Sequence, residues 1–148
     1  METRRSARDQ ALSLLEYADR TEKELVRKLQ ERGYAWEEIQ DAVSFLLEYR
    51  YLDDRAYADR YVRVRSSRKS RRQLQAELEQ KGIASQLIQA ALEEETVDEE
   101  GQIRRFLEKK GCRPGEKLEP QQLRRITAAL ARKGFSYDQI RSVMELPL

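Results

Sequence analysis

The feature that most constrains the fold is an internal repeat of about fifty residues that occurs three times. The copies align on Gly33, Gly82 and Gly134, each with a leucine four residues before it and an isoleucine six residues after it. Apolar residues recur at helical spacing on both sides of each glycine, so each copy predicts two helices joined by a glycine turn. A further amphipathic segment precedes each pair. The repeat therefore predicts an all-α, elongated tandem array of three three-helix modules, about nine helices in total.

We expect the modules to span residues 1–50, 51–95 and 96–148. Each is too small to bury a large core, because units below ~70 residues usually need neighbours or covalent staples, so adjacent modules should pack together. The acidic segment 93–100 and the loop 111–120, which has two glycines and two prolines, are candidate joints. The acidic segment is either a solvated helix start or an internal screen for basic residues elsewhere.

The middle module has the clearest local pattern. Asp53 or Asp54 can cap a helix that continues to about Ser66, because a carboxylate there accepts from free backbone N–H groups. Ser70 and Gln73, like Thr21 and Glu24 in the first module, have the spacing of a capping box, which indicates that a helix begins there. Gly82 is the expected stop, since glycine adopts the left-handed conformation without a steric penalty. The apolar stripe of the first of these helices consists of Tyr57, Ala58, Tyr61 and Val62.

The middle module also contains a run of seven basic residues, which we call the basic run, with no acidic residue between Arg60 and Ala76. The chain as a whole has a net charge of only +2, so the positive charge is concentrated here. The basic residues at the start of the helix that follows Ser70 oppose the dipole of that helix. Local stability therefore does not explain them, and binding of an acidic partner is favoured. Arg65 falls near the centre of the apolar stripe, which predicts either a buried pairing with a carboxylate or a ligand for an acidic partner. The basic run is Arg60, Arg63, Arg65, Arg68, Lys69, Arg71 and Arg72.

Several classes of protein are disfavoured by composition. The chain has no histidine and one cysteine, so imidazole-assisted catalysis, internal disulfides and the usual metal clusters are unavailable. We expect Cys112, in KKGCRPG, to be a flexible-loop thiol. No phosphate-cradling glycine motif, signal core or membrane-spanning stretch is present. The expectation is a cytoplasmic, monomeric protein that is not an enzyme and has no catalytic residues, cofactor or metal.

The order and spacing of these motifs resemble the RecX family, regulators of the bacterial recombinase RecA. The resemblance covers residues 11–144 and extends to Thr21-x-x-Glu24-Leu25 and Arg132-Lys133-Gly134-Phe135 in the outer repeats. It implies that most signature residues hold the middle module, whereas the basic surface around residues 68–72 contacts the partner. The signature positions are Asp53, Asp54, Tyr57, Tyr61, Val62, Arg65 and Gly82.

The resemblance implies a protein that binds in the groove of the RecA nucleoprotein filament and blocks its extension or promotes its disassembly. Such binding would modulate homologous recombination, DNA repair, RecA ATPase activity and the SOS response. The alternative is a helix-turn-helix-like module that acts directly on nucleic acid. Weak non-specific binding of single- or double-stranded DNA fits both hypotheses. A third hypothesis, a helical scaffold for an unrelated partner, predicts no effect on the recombinase.

Overall fold

The computed structural model describes residues 4–147, and in that range it contains nine α-helices and no strand. None of these helices combines the length and apolar character needed to cross a lipid bilayer. The nine helices confirm the predicted all-α fold. They are α1 (Ala7–Tyr17), α2 (Glu22–Glu31), α3 (Trp36–Glu48), α4 (Asp54–Arg65), α5 (Arg71–Gln80), α6 (Ser85–Glu94), α7 (Glu99–Lys109), α8 (Pro120–Arg132) and α9 (Tyr137–Met144).

Each set of three helices encloses its own hydrophobic core. Module 1 consists of α1–α3, module 2 of α4–α6 and module 3 of α7–α9, and their buried clusters have no residue in common. The accessible surface is 10139 Å², whereas a compact protein of this mass exposes about 7,900 Å². The excess surface is what a tandem array with three small cores produces.

The same hydrogen bond joins successive modules at both internal joints. The hydroxyl of Thr21 donates to the carbonyl oxygen of Lys81 at 2.7 Å, and the hydroxyl of Ser70 donates to that of Lys133 at 2.6 Å. Thr21 and Ser70 are also the N-caps of α2 and α5, each within the predicted capping box. Each hydroxyl therefore accepts from a free backbone N–H at the start of its own helix. It also donates to the carbonyl at the C-terminal end of the second helix of the next module.

The two ends of the array differ from the internal joints. In module 1 the equivalent carbonyl, that of Arg32, accepts from the Nη2 atom of Arg4 at 2.7 Å, and the same guanidinium lies 3.8 Å from the centre of the Tyr34 ring. In module 3, α8 begins at Pro120 and has 13 residues, compared with ten in α2 and α5. Its extra turn places Gln122, inside the helix, where the other modules have a hydroxyl cap. The Arg32 carbonyl is therefore bonded by a guanidinium in place of a hydroxyl, and module 3 has no hydroxyl at the position of Thr21 and Ser70.

The environment of Cys112 differs from the expectation. The prediction of a flexible-loop thiol is wrong, because the side chain is 5% exposed and belongs to the core of module 3. Gly111, with φ of +71°, ends α7 and turns the chain inward, and the Cys112 N–H then donates to the carbonyl of Leu107. The loop 111–120, predicted as a candidate joint, instead connects α7 to α8 inside module 3 and ends with Pro120 in the first turn of α8.

Two serines allow the contribution of a joint hydrogen bond to the free energy of unfolding to be measured. Ser70 and Ser136 both form capping boxes, but only Ser70 also bonds to the next module. We expect Ser70→Ala to lower the free energy of unfolding by about 1–3 kcal/mol more than Ser136→Ala, because the carbonyl of Lys133 loses its donor at the joint. Urea unfolding of the full chain measures both. Equal losses would contradict the role of this bond in the joint.

Candidate functional site

Four of the seven residues in the basic run are held by contacts within the chain. The guanidinium of Arg60 pairs with Asp19 of module 1 at 2.6 Å. Lys69 forms an ion pair with Glu77. The Nη1 atom of Arg71 donates to the carbonyl of Leu92 at 2.9 Å. These cations are at least partly engaged in stabilising the middle module and its joints.

Arg65 is the fourth, and its guanidinium lies 3.7 Å from the centre of the Tyr61 ring. The carboxylate partner of the first alternative is not found: among residues 4–147 no carboxylate oxygen lies within 4.0 Å of this guanidinium. Stacking on an aromatic face explains how an arginine can occupy the centre of an apolar stripe, because the ring quadrupole attracts the cation. The role of Arg65 as a ligand for an acidic partner stays a prediction.

The remaining three residues of the basic run are exposed and uncompensated. Arg63, Arg68 and Arg72 all lie on the surface. Within the described part of the chain, no carboxylate oxygen is within 4.0 Å of any of the three guanidinium groups. Arg68 lies in the turn between α4 and α5 and the other two lie in the helices on either side, so the middle of the array presents three free positive charges. We call these three residues the free arginines.

A partly buried polar cluster supports the turn between α4 and α5. The hydroxyl of Tyr61 donates to Oε1 of Glu77 at 2.7 Å, and Lys69 bonds to the same oxygen. Burial, followed by the hydrogen bond to Glu77, raises the pKa of Tyr61 to about 12. Burial acts to raise the pKa of Glu77, but the bonds from Lys69 and Tyr61 outweigh it and the pKa is lowered. The carboxylate therefore stays ionised and holds both partners at neutral pH.

The other signature residues have structural surroundings. Asp53 is the N-cap of α4, and its Oδ1 atom accepts from the N–H of Ala56 at 3.0 Å. The Oδ1 atom of Asp54 accepts from the N–H of Glu22 at 2.9 Å, which joins modules 1 and 2, and burial raises the pKa of Asp54. The remaining signature residues belong to the core or to a joint: Tyr57, Tyr61, Val62 and Gly82.

Module 3 contributes contacts to the turn that the sequence did not indicate. The buried amide of Gln102 donates to the carbonyls of Ser66 and Lys69, at 3.0 and 2.9 Å. Arg105 donates to the carbonyl of Ser67. The position of Gln102 beside the apolar stripe of α7 was a sequence signal for a partly buried polar residue. The sequence spacing could not identify its two carbonyl acceptors, which lie in module 2.

Among residues 4–147, no carboxylate of the acidic segment 93–100 forms an ion pair with a side chain of the basic run. Within residues 4–147 its ion pairs join Glu94 to Arg55 at 2.6 Å and Glu100 to Arg104 at 3.9 Å, and both arginines lie outside the run. Glu99 instead accepts from the backbone N–H of Arg71 and from the amide of Gln139, so it fastens modules 2 and 3. The segment contains the end of α6 and the start of α7. Glu99 and Glu100 lie in the first turn of α7, where acidic side chains interact favourably with the helix dipole.

The fold and this surface define a class of protein: an all-α tandem-repeat protein whose central module presents uncompensated cations. Comparison with known protein families gives a match to each of the three modules. Models of the first, second and third three-helix domains of RecX match residues 7–46, 53–92 and 98–144. The chain belongs to the RecX family.

Relatives and solved structures agree with this assignment. The protein named regulatory protein RecX in Trichlorobacter lovleyi is 36% identical to this chain over 141 residues, which cover 91% of each chain. The protein of the same name in Pelodictyon phaeoclathratiforme is 34% identical over 138 residues, which cover 92% of this chain and 85% of the relative. The chain spans about half, 53%, of the Geobacillus thermodenitrificans relative, with 34% identity over 143 residues. The crystal structure of RecX from Lactobacillus salivarius has a TM-score of 0.75 and 25% identity, covering 94% of this chain and 92% of that one.

Proposed function

We propose that this chain binds in the groove of the RecA nucleoprotein filament and blocks its extension or promotes its disassembly. The observation that carries the proposal is the set of exposed free arginines in and beside the turn between α4 and α5. The other cations of the basic run are engaged internally. Family membership supports RecA as the partner. Recombination, RecA-dependent repair and the SOS response would be modulated through the filament.

The shape of the array suits this partner. Three cores in tandem expose more surface than a compact protein of this mass, and the free arginines lie in the middle of the array. A long surface with positive charge at its centre can contact several repeating units of a polymer at once, which raises the effective concentration of each further contact.

The helix-turn-helix alternative is weaker on this structure. In each module the third helix occupies the position of a recognition helix, but Glu37 and Glu38 lie in the first turn of α3 and Asp138 lies in that of α9. Side chains near the N-terminus of a recognition helix usually contact base edges, and carboxylates there would repel phosphate. The third helices of modules 1 and 3 are therefore poor candidates for reading a duplex, whereas α6 has no acidic residue in its first turn.

ATP hydrolysis by RecA on single-stranded DNA tests the proposal. We expect the chain to inhibit hydrolysis at well below one molecule per RecA subunit, because stopping growth at a filament end affects many subunits. An absence of inhibition at saturating protein would reject the proposed function and leave a scaffold for an unrelated partner. Electron microscopy of the same mixtures would show whether filaments are shortened.

A further inference from the structure

A second basic surface lies where modules 2 and 3 meet, and the basic run accounts for only one of its residues. A hollow of about 170 Å³ opens between the turn that follows α4, helix α7 and the end of α8. Its nine lining residues, all in the described part of the chain, include four cations and no carboxylate. The four cations are Arg68, Arg105, Lys109 and Lys133.

A second hollow, of about 290 Å³, lies on module 3 and shares Phe106 with the first. It is lined by Lys110 and Arg125, and again no carboxylate is among its lining residues, which are all described. The Nζ atoms of Lys133 and Lys110 lie 5.5 and 5.6 Å from the centre of the Phe106 ring. The two hollows therefore form one surface with an aromatic ring between them, which we call the basic track.

The cations of the basic track are not neutralised by the protein. Among residues 4–147, none of the six has a carboxylate oxygen within 4.0 Å. Grouping six like charges along two adjoining hollows is electrostatically unfavourable, so an anionic ligand that follows the track would relieve repulsion. The ligand should carry regularly repeated negative charges, because one small anion cannot reach both sides of the ring.

The architecture of the joint keeps the first hollow in place. The buried amide of Gln102, in α7, bonds to two carbonyls of the turn between α4 and α5, and Arg105 bonds to a third. Ser70 bonds to the backbone of Lys133 on the opposite side. These bonds fix the modules relative to each other, so cations from both modules are positioned before a ligand arrives.

From this geometry we propose that the basic track binds a single strand of nucleic acid, with backbone phosphates beside the cations and a base against the Phe106 ring. Cationic grooves combined with accessible aromatic rings suit single strands, whose unpaired bases can stack. Phe106 packs against the core of module 3 but is only half-buried, so part of its ring is accessible. A duplex is less suitable, because its bases are stacked internally and are read by elements that enter its grooves. The proposal concerns direct contact with nucleic acid and goes beyond the proposed binding to RecA.

Fluorescence anisotropy of a labelled oligothymidylate, without RecA, tests the basic track. We expect Lys109→Glu combined with Lys133→Glu to weaken binding at least tenfold. The dependence of log affinity on log salt should become less steep by about 1.4, because two phosphate contacts to a single strand are lost. Phe106→Leu, which keeps an apolar side chain but removes the aromatic face, should weaken binding at least about fivefold without changing the salt dependence.

The control variant is Arg124→Glu combined with Arg132→Glu, which makes the same charge change on exposed residues of module 3 that line neither hollow. We expect it to retain most of the affinity. Equal losses in both double variants would overturn the track and indicate a net-charge effect. Tighter binding of a duplex, or equal binding of polyglutamate, would overturn the assignment to single strands. None of these outcomes depends on RecA, so they are distinguishable from failure of the proposed function.

Discussion

Replacing Gly134 with alanine should destabilise the array by about 2–5 kcal/mol, more than the same change at any glycine outside a joint. The backbone there has φ of +98°, so any side chain costs roughly 1–2 kcal/mol. An added Cβ atom would lie 2.6 Å from Oγ of Ser70 and 3.0 Å from Cβ of Arg72. The hydroxyl would have to move, and its bonds to α5 and to Lys133 would be lost together.

Gly111 provides the matched control for this prediction. Its φ is +71°, but apart from its two chain neighbours no described residue comes within 4 Å of the place where a Cβ atom would stand, so Gly111→Ala carries the backbone cost alone. Urea unfolding compares the two variants, and hydrogen exchange should show the extra loss concentrated in module 3, since repeat arrays can unfold unit by unit. In a Ser70→Ala background the cost of Gly134→Ala should fall. Equal losses for the two glycine variants would refute the joint.

The modules and most helix ends could be predicted from sequence because their signals are local. The period of the glycines and the capping boxes at Thr21 and Ser70 involve residues close together in the chain, and the structure confirms them. The second hydrogen bond of each hydroxyl could not be predicted from the sequence, because its acceptor lies 60 or 63 residues away along the chain. The capping signal explained each residue fully and left no indication of a second partner.

The two basic surfaces differ in how far the sequence could define them. The basic run is continuous and is visible as a stretch without acids, but the stretch does not show which cations are engaged internally. Arg65 is the clearest case, since periodicity placed it in the stripe and only the structure supplied Tyr61 as its partner. The basic track is assembled from three elements in two modules. The RRFLEKK segment of α7 was a local signal for part of it, but its juxtaposition with Arg68 and Lys133 depends on the joint.

Reversing the charge of two free arginines should weaken inhibition of the recombinase. We expect Arg63→Glu combined with Arg72→Glu to raise the concentration needed for half-inhibition of RecA ATPase activity at least tenfold, which corresponds to about 1.4 kcal/mol of binding free energy. Both side chains are exposed and have no carboxylate partner among the described residues, so their attraction to an acidic partner is not offset internally. Loss of charge complementarity should chiefly slow association.

The choice of these two arginines separates partner binding from folding and from the basic track. Lys69 and Arg71 belong to the same run, but substituting them would break the pair with Glu77 and the bond to Leu92, so lost inhibition could reflect unfolding. Arg63 and Arg72 line neither hollow of the track, so the variant should still bind oligothymidylate. The Arg124→Glu, Arg132→Glu control makes the same net charge change in module 3. If it relieves inhibition equally while circular dichroism is unchanged in both variants, the free arginines are not the contact, and long-range charge accounts for the effect.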